Sequence, residues 1–359
     1  VSLYLDANAT EPLRPEAREA AIAAMDLAGN PSSVHAEGRA ARRVLEEARA
    51  RVAARFGAAP RDVVFTSGGT EASALAIASL RRGRRVLAGA TEHPAVLRAA
   101  EEAETLPVLG DGTLDLAALE AALAGGPPAL VLAMVANNET GVIHPVTAIA
   151  DLCRRHGALL HLDAVQAAGR VPLDLGASGA DSMAISGHKL GGPKGAGALL
   201  LRPGLDLAPL LAGGGQERGR RGGTEALPAI AGLGVAAAAA DPAAAAALAG
   251  LRDAIEAGLG LPVAGAGAPR LPNTSCVALP GTGAETQVIA LDLLGVRVSA
   301  GAACSSGKVS RSPVLAAMGL GAMAGEAIRV SLPWNAPPDA AARFLAAHAA
   351  MRERLARAA

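Results

Sequence analysis

Six short apolar runs, each separated from the next by a stretch of helical length, constrain this chain more than any other feature. They are Asp62 to Phe65, Arg85 to Ala88, Ala129 to Val135, Ala158 to Leu162, Asp181 to Ile185 and Ala196 to Leu201. The runs are continuous where a half-exposed strand would alternate, so they suit strands buried on both faces, in a mostly parallel sheet covered by helices. The expected fold class is therefore α/β. In such a sheet ligands bind beyond the carboxyl ends of the strands, and the chemically capable residues of this chain fall just after the runs. An Ala-rich stretch from Val235 to Ala249, broken at Asp241-Pro242, reads as a connecting helix pair. Beyond it, Asn273 to Leu279, Val296 to Ser299 and Ala327 to Leu332 read as strands, and Pro338 to Ala358 as a helix. The expected organisation is a large unit over residues 12–240 and a smaller α+β unit over 241–359, joined by residues 1–11.

Composition removes several classes. The chain has 359 residues, too many for a fold that depends on staples, and its 33 basic and 33 acidic side chains cancel. With no basic block and 1% aromatics, nucleic-acid binding is not expected. Charges, Gly and Pro break every apolar run before it reaches a membrane span's length. Val1 to Asp6 has no signal-like pattern, and three scattered cysteines (Cys153, Cys276, Cys304) make neither a disulfide framework nor a zinc spacing. A cytoplasmic protein is the expectation. Lysine occurs only at positions 189, 194 and 308, against 33 basic residues in all. Where arginine has replaced lysine almost everywhere, a surviving amine suits a task a guanidinium cannot perform, such as forming a Schiff base.

Four segments carry candidate chemistry. Thr66-Ser67-Gly68-Gly69-Thr70-Glu71 follows an apolar run and opens a helix, so it is either an anion cradle or a plain cap. It lacks the Lys-Ser/Thr of a nucleotide loop, and no dinucleotide fingerprint is present. Asp163, ending the run with His161, is a helix cap, half of a metal pair lacking a third ligand, or a carboxylate facing a cationic ring nitrogen; no metal is expected. Ser186-Gly187-His188-Lys189 and Lys194 bring two of the three lysines to the same sheet edge. A phosphate cradle, a carboxylate for a ring nitrogen and an imine-forming lysine together describe a pyridoxal phosphate (PLP) site.

With these residues in view, the chain resembles the cysteine desulfurases of the NifS and IscS type, in the class V aminotransferase group of fold-type I PLP enzymes. Further blocks carry the likeness: Leu5 to Thr10, Gly29-Asn30-Pro31-Ser32-Ser33, Thr91-Glu92-His93-Pro94, Asn137 to Gly141, Gly213 to Glu225, Gly301 to Gly307 and Ile328 to Leu332. The resemblance implies that Lys189 holds PLP and moves a proton, with Lys194 as the local competitor. It further implies that Asp163 pairs with the pyridinium nitrogen, Gln166 bonds the phenolic oxygen and His93 lies over the ring. Gly69, Thr70, Ser186 and His188 cradle the phosphate, joined by Thr224 from the other subunit of a homodimer. Asn138 meets cofactor or substrate, Asn137 being its neighbouring alternative. Asn8 and Arg329 bind the substrate, L-cysteine, with Arg329 on its carboxylate. Cys304, flanked by small residues and near Lys308, takes the sulfur as a persulfide and releases L-alanine. The persulfide then passes to an iron-sulfur scaffold or another acceptor protein, and the Cys304 block is of the long-loop kind. Cys153 and Cys276 read as buried structural thiols. The chain departs from the family pattern at Ala7, Glu11 and Pro333-Trp334-Asn335, positions that bear on substrate placement. A selenocysteine lyase, another class V aminotransferase and a non-catalytic scaffold on the same fold are the competing readings.

Overall fold

The computed structural model of the chain describes residues 2–301 and 311–358. Among these described residues, twelve strands form three sheets. In chain order they are β1 (Leu3–Tyr4), β2 (Val63–Thr66), β3 (Arg85–Gly89), β4 (Glu104–Leu106), β5 (Ala129–Met134), β6 (Leu159–Asp163), β7 (Ser182–Ser186), β8 (Gly197–Leu201), β9 (Thr274–Ala278), β10 (Val296–Arg297), β11 (Ser299–Ala300) and β12 (Ala327–Ser331). Seven of them make one sheet in the order β2-β8-β7-β6-β5-β3-β4, parallel throughout except for β8, which runs antiparallel to both its neighbours. Each apolar run in the sequence is a strand to within about one residue. The three-residue edge strand β4 escaped notice because Glu104 and Thr105 are exposed, leaving no apolar pattern.

The continuous apolar character of these strands has the expected cause. In β5, Ala129, Val131 and Ala133 enter one hydrophobic core, and Leu130 and Leu132 enter the core on the opposite face. A strand buried on both sides has no polar face to show. Burying each of those leucines is worth about 1.5–3 kcal/mol, which makes the pleat register hard to slip. A further core joins Leu3 and Leu5 from the start of the chain to Val277, Ile328, Val330 and Phe344. It lies on the antiparallel sheet β11-β12-β9 and the small parallel pair β1-β10.

The Ala-rich stretch differs from the expected helix pair. It contains the end of a long helix, Leu227–Ala239, then the short helix Pro242–Ala246, then the start of Leu248–Leu259. The break falls at Asp241-Pro242, where the Asp241 side chain accepts from the Ala243 N–H and Pro242 takes the first helical position. The first helix began earlier than the alanine run because Leu227, Ile230 and Leu233 anchor it in the main core. Among the described residues no single helix is long and apolar enough to cross a membrane.

Candidate active site

The carboxyl ends of β2, β3, β5, β6 and β7 open on one edge of the large sheet, and a cavity of about 620 Å3 lies there. The reversal of β8 shapes this edge. Its first residue, Gly197, pairs with Thr66 on one side and Ser186 on the other. A Cβ on Gly197 would lie 2.6 Å from Gly68 Cα, so only glycine lets β8 pass beneath the Ser67-Gly68-Gly69 turn. That turn starts the helix Gly69–Leu80, whose Gly68 cap offers no side-chain acceptor to the first N–H groups. Gly69 is itself close-packed, since a Cβ there would meet Val165 Cγ2 at 2.5 Å. Gly69, Thr70, Ser186 and His188 all line the cavity, so an uncapped helix N-terminus and two polar side chains converge where an anion fits. His188 is held by a 2.9 Å hydrogen bond between its Nδ1 and Thr10 Oγ1. Burial, with Lys189 and Lys194 beside it, presses its pKa down to about 4, so the ring is neutral near pH 7.

Asp163 ends β6 against the cavity wall. The Val165 N–H donates to its Oδ1 at 2.9 Å. Burial raises its pKa, against the pull of that N–H and of His93 and Lys189. The helix-cap reading does not hold, since a turn and no helix follows β6, and the bond to Val165 closes that turn while Asp163 lines the cavity. His161 points elsewhere: its ring nitrogens meet Ser182 Oγ at 2.9 Å and Ser73 Oγ at 3.3 Å, and burial lowers its pKa to about 4. It ties strand to helix.

Lys189 sits in the short turn after β7, and its Nζ donates to the carbonyl oxygens of Asn8 and of Ala9, the latter at 2.9 Å. Lys194, the local competitor, also lines the cavity. His93 caps the helix Pro94–Ala99: its Nδ1 accepts the Ala95 N–H at 3.1 Å. In the neutral ring the proton therefore resides on Nε2. Burial lowers the His93 pKa, with Lys189 acting in the same direction and Asp163 against it.

On the far side of the cavity stand Asn8, Asn138 and Arg329. Arg329, 3% exposed on β12, donates to Asp6 Oδ1 at 2.6 Å and to the Asn138 carbonyl at 3.1 Å, while its Nε has no partner among the described residues. Asp6 was not singled out in the sequence, because nothing local marks it as the partner of a residue 323 positions away. Asn8 Nδ2 donates to the Asn138 carbonyl at 3.1 Å and to Thr274 Oγ1 at 3.0 Å. Asn137 is spent on its own turn, accepting the N–H groups of Glu139 and Thr140 at 2.9 Å each, which leaves Asn138 as the neighbour that lines the cavity.

Gln166 lines the cavity, and its Nε2 donates to the Asn8 carbonyl at 3.0 Å. Thr224 does not line it. It lines a separate cavity of about 100 Å3 beside Ser67, Gly195 and Arg221. Its loop is fixed by the buried pair Arg49–Glu217 at 2.7 Å and by Arg221 on Glu71, also at 2.7 Å. Cys304 and Lys308 lie outside the described residues. On either side of them, a Cβ on Gly301 would lie 3.6 Å from Ser312 Cβ, and Ser312 Oγ donates to Glu139 Oε2 at 2.5 Å. Cys153 and Cys276 are buried free thiols whose pKa values burial pushes up to about 12.

A model of the class-V aminotransferases matches residues 3–341. The chain belongs to that family. It is 46% identical over 335 residues to a cysteine desulfurase of Cereibacter sphaeroides, covering 88% of this chain and 86% of that one. It is 40% identical over 342 residues to a putative cysteine desulfurase, IscS 1, of Bacillus subtilis, covering 88% and 89%. The crystal structure of a NifS-like protein from Rickettsia africae superposes with a TM-score of 0.91 at 33% identity, covering 98% of this chain and 100% of the other. The class V aminotransferases that include cysteine desulfurases use PLP.

Proposed function

We propose that this protein is a PLP-dependent cysteine desulfurase, converting L-cysteine to L-alanine and retaining the sulfur as a persulfide on Cys304. The observation that carries the reading is the convergence on one cavity of an uncapped helix N-terminus, a buried carboxylate and a lysine amine, opposite a buried arginine. These fit PLP part by part. Gly69, Thr70, Ser186 and His188 suit its phosphate, Asp163 its ring nitrogen, Lys189 its aldehyde, Gln166 its phenolic oxygen and His93 its ring face. When bound, PLP supplies an electron sink for the amino acid's bonding electrons.

The chain's own residues do the rest. Arg329 binds the substrate carboxylate, and Asn8 and Asn138, which line the same cavity, hold the amino acid beside it. Lys189 and His93 hold and move protons at Nζ and Nε2. The Cys304 thiolate bonds to the substrate sulfur, the carbon–sulfur bond breaks, and the carbon skeleton leaves as alanine. An iron-sulfur scaffold or similar acceptor protein then takes the sulfur. Thr224 does not line the cavity of its own chain, and the exposed Leu210 and Leu211 precede its loop, which supports a homodimer in which Thr224 serves the partner's phosphate site. The separate cores support a large unit over 12–240 and a small one over 241–359 with 1–11. Free buried thiols and a nucleophilic cysteine suit a reducing cytoplasm.

The test mixes PLP-loaded protein with L-cysteine and a thiol reductant and measures alanine and sulfide in the same tube. Equal, catalytic amounts of both are expected, and bound PLP with neither product would defeat the reading. Cys304→Ala is expected to abolish sulfide release with PLP still bound, whereas persistent sulfide would remove Cys304 from its role and favour an aminotransferase or selenocysteine lyase.

A further inference from the structure

Behind Lys189, on the side away from the cavity, lies a buried polar cluster that the proposed reaction leaves unused. Arg170, 5% exposed, is at its centre. One arm of the guanidinium, NH1, donates to both oxygens of Gln166: to the backbone carbonyl at 3.1 Å and to the side-chain Oε1 at 2.5 Å. The other arm, NH2, donates to Glu11 Oε1 at 3.1 Å and to the Ala7 carbonyl at 3.3 Å. Glu11 Oε2 in turn accepts the Trp334 N–H at 3.2 Å, and the Arg14 guanidinium lies 4.6 Å over the Trp334 ring. Glu11 and Trp334, two positions where the sequence departs from the family pattern, are therefore in direct contact. Nothing in the sequence joins them, since 323 positions separate them.

We propose that Arg170, charge-balanced by Glu11, is the positioning residue that sets which end of the Gln166 amide faces the cavity. A guanidinium has five donors and no acceptor, so the end of an amide that touches it is the oxygen. The opposite end, Nε2, is thereby aimed at the Asn8 carbonyl, the oxygen that also accepts from Lys189. An amide nitrogen carries two hydrogens, and one is used on Asn8. The second is offered to the cavity that Gln166 lines. Turned over, the same side chain would present an oxygen to the cavity and set it against the Asn8 carbonyl. Glu11 completes the device because a buried guanidinium without a counter-charge is costly. Burial alone pushes the Glu11 pKa up and the Arg170 pKa down, and each partner opposes the other's shift.

The inference rests on PLP occupying the cavity with its phenolic oxygen at Gln166. Its test is spectroscopic and requires no turnover. The paired variant Glu11→Gln/Arg170→Met removes both charges together, which avoids stranding one of them. It is compared with Gln166→Ala, and with all three substitutions combined, by PLP affinity and by the pH midpoint of the bound cofactor's absorbance change. A donor lost from the phenolic oxygen leaves more negative charge to hold a nearby proton. The midpoint is therefore expected to rise by about one pH unit, and PLP affinity to fall about tenfold, in both variants. The combined variant should add nothing further, as for residues acting through one group. A wild-type midpoint and affinity in the paired variant, with Gln166→Ala shifted, would overturn the proposal. Should the paired variant fail to fold, Arg170→Lys keeps the cation beside Glu11 but lacks the fork that spans Gln166 and Ala7. The same midpoint shift is expected of it, and an unshifted midpoint would overturn the proposal equally. Wild-type protein that takes up no PLP at all would defeat the functional reading itself, and this inference with it.

Discussion

The two walls of the cavity are built on different plans. On the wall proposed for the cofactor each residue comes from the large sheet within a few residues of a strand end: Gly69 after β2, His93 after β3, Asp163 on the last residue of β6, Lys189 after β7. On the wall proposed for the substrate the contacts join segments far apart in the chain. Arg329 meets Asp6, and Asn8 meets Asn138 and Thr274. The cofactor wall thus inherits its geometry from a sheet with a core on each face, whereas the substrate wall exists only while residues 6–11 are docked across both sheets. A fold can hold one cofactor rigidly and still vary its substrate where the two tasks rest on largely separate contacts, which here meet at residues 8–10, through Lys189, Gln166 and His188.

The sharpest way to break this comparison is at Lys189, which, like Gln166, touches both walls, here through the Asn8 and Ala9 carbonyls. Lys189→Ala is expected to cut turnover by about a thousandfold or more. It should also remove the absorbance of covalently held PLP while PLP still binds non-covalently. Turnover within tenfold of wild type would show that Lys194, on the same cavity, supplies the amine. A weaker effect belongs to the substrate wall. Arg329→Lys keeps the cation but not the fork, so KM for L-cysteine should rise about tenfold to a hundredfold with the PLP spectrum unchanged. A changed spectrum with a normal KM would place Arg329 on the cofactor and erase the distinction between the walls.

The same contrast governs what the sequence reveals. The cofactor wall is legible because strands buried on both faces leave unbroken apolar runs, and the functional residues follow those runs at once. Asp163, Lys189 and the Gly68-Gly69 turn could be placed on one edge from patterning alone. The substrate wall is not legible in that way. Arg329 stands out as a charge inside an apolar strand, yet its partner Asp6 carries no local signal, and neither does the link from Glu11 to Arg170 and Trp334. Register across 300 residues is a property of packing, not of any window of sequence. The long Leu227–Ala239 helix shows a milder form of the same limit, since its start is set by side chains that bury in the main core and not by its alanines.

Glu92 offers the smallest and most selective test, because it sits on the legible wall and still went unnoticed beside His93. It is buried, its Oε1 accepts the Met134 N–H at 2.5 Å, and its Oε2 has no partner among the described residues. Burial, then repulsion from Asp163, raises its pKa to about 8. A glutamate in the unfolded chain titrates near 4.3. Between those values the folded protein holds a proton that the unfolded chain has released, so folding is favoured by low pH. That contribution is fully present below about pH 4 and is lost as the pH climbs through about 8. A neutral Glu92 leaves the negative charge at this edge to Asp163, where a cationic ring nitrogen can use it. Glu92→Gln keeps the acceptor for Met134 and carries no charge. Its melting temperature should match wild type at low pH and exceed it above pH 8, by a margin on the order of a few kcal/mol in stability. Melting curves for the two proteins that stay parallel from pH 5 to pH 9 would mean that Glu92 is ionised throughout, and that the cofactor wall carries two carboxylate charges instead of one.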